Sequence, residues 1–136
     1  MLGEVVGDYS GKITSVKVLP FDSTGQGVKY EVTQVAEVRG RLSCKGMGSN
    51  YVQVAADGTS TTKFYGVFTT PDGETLLMES GGMGVPLGSG RVKFRTTVTL
   101  KSSAAKLAWV NTAPIAFEGE GDFSTMEVKG MLYEWK

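Results

Sequence analysis

The sequence predicts an all-β fold: a closed or nearly closed antiparallel barrel of about eight to ten strands in an up-and-down meander, forming one domain over residues 1–136. Three observations carry that expectation. From Val28 to Cys44 apolar and polar residues alternate. Val28, Tyr30, Val32, Ala36, Val38, Leu42 and Cys44 fall on one side of an extended chain, and Lys29, Glu31, Thr33, Glu37, Arg39, Arg41 and Ser43 on the other. Drawn straight, the stretch would run roughly 56 Å, against a diameter of roughly 37 Å for a globule of this length, so it has to bend, and Gly40 is where it can. Second, Gly40, Gly66 and Gly130 lie inside strand patterns, where a coiled sheet needs relief from side-chain crowding. Third, a meander joined by short turns closes naturally with its last strand beside its first, which favours a barrel over a sandwich.

The elements follow in order. Lys12 to Leu19 alternates imperfectly and stops at Pro20, and a turn rich in Ser, Thr and Gly spans Asp22 to Gly27. The long strand Val28 to Cys44 then runs to a Gly-rich break at Gly46-Met47-Gly48-Ser49-Asn50. Tyr51 to Ala55 is a short strand closed by Asp57-Gly58, the strongest hairpin signal in the chain. Lys63 to Thr70 and Glu74 to Ser80 are joined through Pro71-Asp72-Gly73. A loop, Gly81 to Gly90, precedes the half-buried strand Arg91 to Leu100. Ser102 to Lys106 has room for one helical turn, and Leu107 to Asn111, Ile115 to Glu120 and Met126 to Trp135 complete the strands. No segment sustains a helical period for a full helix, so a parallel βαβ sheet is excluded.

Composition removes whole classes of function. Fourteen basic and fourteen acidic residues cancel without a like-charge run, which argues against nucleic acid or an anionic membrane as partner. No stretch approaches the roughly 18 apolar residues of a membrane helix. Histidine is absent, so Ser-His-Asp and Cys-His devices and His-bearing metal sites are excluded. One cysteine, Cys44, permits no internal disulfide, and Met1 to Glu4 does not open a secretory signal. The expectation is a soluble, cytoplasmic, cofactor-free protein. The Gly clusters open no helix, so no phosphate-binding loop is indicated.

Candidate site residues are those that reach or rim a barrel interior. Gln34 interrupts the apolar side of the long strand, Thr96 does so in Arg91 to Leu100, and Asn111 lies two positions after Trp109. Such groups either orient a ligand or satisfy one another as buried polar groups. Tyr30, Phe68, Phe94 and Trp109 join Gln34 and Asn111 as proposed lining. Met47 and Met83, each within a Gly-Met-Gly sequence, are either flexible apolar residues at the mouth or ordinary packed loop residues. Glu79, ahead of the Gly81 to Gly90 loop, is the candidate acid or base, against the plain alternative of a surface carboxylate. Cys44 continues an apolar side and reads as a small buried hydrophobe.

Three segments resemble a bacterial family of small proteins with a calycin-like β-barrel, whose function is uncharacterised. They are Tyr51 to Gly58, Gly66 to Glu74, and Phe94-Arg95-Thr96-Thr97 with Leu107-Ala108-Trp109-Val110-Asn111 downstream. The resemblance covers about residues 40 to 135; the first forty residues carry no motif that aligns. It implies an antiparallel barrel that associates into homo-oligomers, and no particular reaction. Lipocalins and allene oxide cyclases are similar in architecture only. The expected function is binding of a small apolar molecule within the barrel. The alternative is a cofactor-free isomerase, cyclase or lyase using a carboxylate, Tyr or bound water, with Gln34 and Asn111 as carbonyl donors.

Overall fold

The structure, a computed structural model, describes residues 2–20 and 27–135. The predicted turn from Asp22 to Gly27 lies outside the described residues except for Gly27. Among the described residues, eight strands form one closed antiparallel barrel in chain order. They are β1 (Leu2–Val18), β2 (Val28–Gly40), β3 (Cys44–Val54), β4 (Ser60–Thr69), β5 (Thr75–Gly88), β6 (Arg91–Lys101), β7 (Ile115–Asp122) and β8 (Glu127–Trp135). A short 3₁₀ helix, Ala105–Asn111, intervenes between β6 and β7. Closure is by β1 against β8, with Tyr9 opposite Gly130 and Gly11 opposite Val128. The all-β, up-and-down barrel is therefore as expected, at the low end of the expected strand number.

Several element boundaries differ from the sequence reading. Val28 to Cys44 is not one bent strand: the chain reverses after Gly40, and Val38 pairs with Cys44 across a hairpin. Gly40 has φ +155°, and a Cβ there would lie 2.8 Å from the Gly7 Cα, so no other residue fits comfortably. The alternation survives the reversal because Leu42 turns inward at the barrel end, where it is fully buried. Gly46 to Asn50 is no break but the middle of β3, and most of Gly81 to Gly90 belongs to β5. Leu107 to Asn111 is the 3₁₀ helix rather than a strand. β1 begins ten residues earlier than the pattern from Lys12 suggests, its register shifted near Val5 by irregular pairing that breaks the alternation.

The turns behave as their residues require. Gly58 adopts φ +89° in the Asp57-Gly58 turn, and the Thr59 amide and hydroxyl both donate to Asp57 Oδ1, at 3.0 and 2.6 Å. At the next hairpin the Thr70 hydroxyl donates to Asp72 Oδ1 at 2.6 Å and accepts from the Glu74 amide at 3.0 Å.

The buried positions of β2 to β6 are the even-numbered ones, so strict alternation points half of each strand inward. Large rings fill the interior by lying over inward glycines. A Cβ on Gly66 would sit 2.7 Å from the Phe68 ring and 2.8 Å from that of Phe64. One end of the barrel is plugged: Leu107 and Val110 of the 3₁₀ helix join the same buried cluster as Leu42, Phe68, Leu76 and Leu100. Among the described residues the other end is more thinly packed, carrying a small cluster of Ile13, Val32 and Val52 with Tyr30, Val54, Met126 and Val128 against it, and the site lies toward that end.

Candidate functional site

Between the plug and the thinly packed end lies an internal chamber of about 60 Å³. It leads toward an apolar mouth pocket of about 300 Å³, walled by Val16, Tyr30, Val54 and Val92. The two spaces share Val32, Val52, Phe94 and Phe123. The chamber alone holds a few waters or a compact polar group, whereas the mouth matches the lower end of small-molecule pockets.

The chamber wall is two-sided. Five consecutive strands each contribute one uncharged polar residue: Gln34 from β2, Asn50 from β3, Thr62 from β4, Ser80 from β5 and Thr96 from β6. The opposite wall is Ile13, Phe117, Val128 and Leu132, with one polar group, Tyr9. The Tyr9 hydroxyl donates to Gln34 Oε1 at 3.0 Å, and its ring meets Phe117 edge-on at 5.3 Å. Burial pushes the Tyr9 hydroxyl far above its ordinary pKa, with Cys44 adding in the same direction. Burial likewise raises the Cys44 thiol to about 11, so both groups are neutral donors at physiological pH.

Two polar atoms of residues that line the chamber lack a hydrogen-bond partner among the described residues: Thr96 Oγ1 and Asn50 Oδ1, both buried. Leaving such an atom unpaired costs about 1–3 kcal/mol. Native proteins keep orphaned atoms where water, an ion or a ligand meets them. No Asp, Glu, Lys or Arg lines the chamber among the described residues. No group of three or more His, Cys, Asp or Glu suited to a metal ion occurs there either.

The expected site residues separate into five places. Gln34, Thr96 and Phe94 do line the chamber, and Tyr30 lies at the mouth. Phe68 is fully buried but belongs to the packed core beneath. Trp109 and Asn111 lie in the 3₁₀ helix of the plug. There the Asn111 carboxamide clamps Ser102, accepting from its amide and donating to its carbonyl, each at 2.9 Å. The Arg41 guanidinium covers the Trp109 ring at 4.1 Å while pairing with Glu134 at 2.7 Å. Met47 and Met83 are correctable from parity alone: odd-numbered on β3 and β5, they face outward and are exposed. Glu79 is outward for the same reason, between Tyr65 and Thr99 on the neighbouring strands, and cannot serve the interior.

Sequence reasoning misses Tyr9, Asn50, Thr62 and Ser80. For Thr62 the signal is present, since it shares parity with Phe64 and Phe68. Asn50 and Ser80 are masked because the glycines around them mimic loops.

No known family pattern matches the chain, and no curated protein sequence does. Solved structures do. A protein of unknown function from Clostridium acetobutylicum superposes with a TM-score of 0.84 at 17% identity, over 98% of this chain and 98% of that one. A β-barrel-like protein from Acinetobacter baumannii gives 0.81 at 17% identity, over 98% and 94%. A structure described as an enzyme from Penicillium herquei gives 0.66 at 16% identity, over 98% and 96%. At these identities the likeness establishes the barrel fold and leaves the site to be argued from this chain's own residues.

Proposed function

We propose that this protein is a calycin-like barrel that binds a small, mostly apolar molecule through the mouth beside Tyr30 and Val92. The observation that carries this reading is the continuity of an apolar mouth pocket with an internal chamber at the end of the barrel that, among the described residues, the core fills least. A barrel built only for stability would be packed throughout, because interior voids forgo dispersion contacts. The free, buried Cys44 accords with a reducing, cytoplasmic setting. An outward row of Val35, Met47, Val67 and Leu77, paired across four strands, supports association of barrels into homo-oligomers.

A second reading, a cofactor-free isomerase, cyclase or lyase, is favoured by the enzyme among the structural neighbours. Its chemistry would fall to the Tyr9 hydroxyl, the Gln34 carboxamide or a bound water, since the lining offers no carboxylate among the described residues.

Binding is tested with an anilinonaphthalene dye whose fluorescence rises in apolar surroundings. Saturable, single-site binding is expected, and Val92→Trp, which fills the mouth, should abolish it without lowering the melting temperature appreciably. Absence of binding to the parent, or undiminished binding to the variant, contradicts the reading.

A further inference from the structure

We propose that the group received in the chamber is an uncharged head that donates a hydrogen bond, as a hydroxyl or a primary carboxamide does. The apolar remainder of the molecule then lies in the mouth. The inference rests on the binding reading above and adds the chemical class of the ligand.

Three observations lead to it. The polar arc spans five adjacent strands and contains only amides and hydroxyls, so it recognises polarity without countering charge. An ionised carboxylate would enter without a cation, and an ammonium without an anion, and each would lose its hydration uncompensated. The second observation is the pair of orphaned atoms. Asn50 Oδ1 can only accept, so only a donor satisfies it, whereas the Thr96 hydroxyl serves in either direction. Gln34 Oε1 already accepts one hydrogen bond, from Tyr9, and so is not orphaned. A hydroxyl head is able to donate to Asn50 Oδ1 and either to donate to or to accept from the Thr96 hydroxyl. A ketone leaves Asn50 Oδ1 unpaired, and a hydrocarbon leaves both. The third observation is size: the chamber of about 60 Å³ accommodates a head group and no more, while the apolar walls lie outside it in the mouth.

The test is calorimetric titration with four compounds sharing a similar tail: octanol, octanamide, methyl hexyl ketone and octanoate, at neutral pH. Octanol and octanamide should bind tightest, the ketone about tenfold more weakly for the missing hydrogen bond, and octanoate about a hundredfold more weakly or not at all. In Asn50→Leu, which keeps the shape and removes the acceptor, octanol and the ketone should bind alike. In Thr96→Val, octanol and the ketone should each weaken about tenfold. The urea midpoint of that variant should be no lower than the parent's, because an unpaired buried hydroxyl is gone. Should either variant fail to fold, the ranking on the parent protein decides. Equal affinity for octanol and the ketone, or octanoate binding as tightly as octanol, overturns the head-group assignment while the binding reading stands. No binding by any of the four, together with no displacement of the dye, overturns both.

Discussion

Replacing Phe68 with alanine is expected to destabilise the protein by about 3–5 kcal/mol, a large part of the roughly 5–15 kcal/mol typical of a domain. The ring is fully buried, lies over the positions where Gly46 and Gly66 lack side chains, and stands 6.5 Å from Phe64. The two glycines are backbone on paired strands of a closed sheet and cannot collapse into the space, so the cavity term is expected near its upper range. Urea unfolding measures it. Because Phe68 belongs to the plugged end, the folded fraction of the variant should keep the parent's affinity for the dye. A loss below about 1.5 kcal/mol, where substitutions at loosely packed sites fall, contradicts the packing described.

Gly82→Ala is expected to cost about 3 kcal/mol and to remove ligand binding as well. A Cβ at Gly82 would lie 2.2 Å from the Arg95 carbonyl oxygen and 2.7 Å from the Thr96 Cα, both backbone atoms of β6 that no rotamer change can move. Relief requires β5 and β6 to part, and that displaces Thr96 from the polar arc. The neighbouring Gly81 is the internal control: its nearest contact would be an ordinary 3.6 Å to the Thr62 carbonyl oxygen, with φ outside the left-handed region. Gly81→Ala should therefore change stability by no more than about 0.5 kcal/mol, with the lower entropy of the unfolded chain in its favour. Equal urea midpoints for the two variants would mean that the inward and outward parity of β5 is misassigned.

The same glycines explain which parts of the fold were legible in the sequence. The alternation of β2, β4 and β6, and the Asp57-Gly58 and Pro71-Asp72-Gly73 turns, are local signals, and each appears where its chemistry places it. Gly46, Gly48 and Gly84 look like loop residues because flexibility is what glycine shows locally. Their role here is to leave room for rings carried elsewhere in the chain: Phe68 against Gly46, Phe64 against Gly48, and Phe94 against Gly84. That pairing becomes visible only with the register. Leu42 misleads in the opposite way, since it keeps an inward parity while the chain reverses beside it. Among the candidate site residues, Gln34, Thr96 and Phe94 were accessible to parity because their strands are unbroken. Trp109 and Asn111 were not, because a two-residue spacing has one meaning on a strand and another in a 3₁₀ helix.

In the proposed binding mode the polar arc of the chamber receives the head of an apolar molecule whose tail lies in the mouth. Crystals soaked with a bromine-tipped octanol are expected to show an anomalous bromine signal in the mouth near Val16, Tyr30 and Val92, with the hydroxyl within hydrogen-bond distance of Asn50 Oδ1 or Thr96 Oγ1. A chamber holding only ordered water, with bromine confined to the outer face of the sheet, would contradict it.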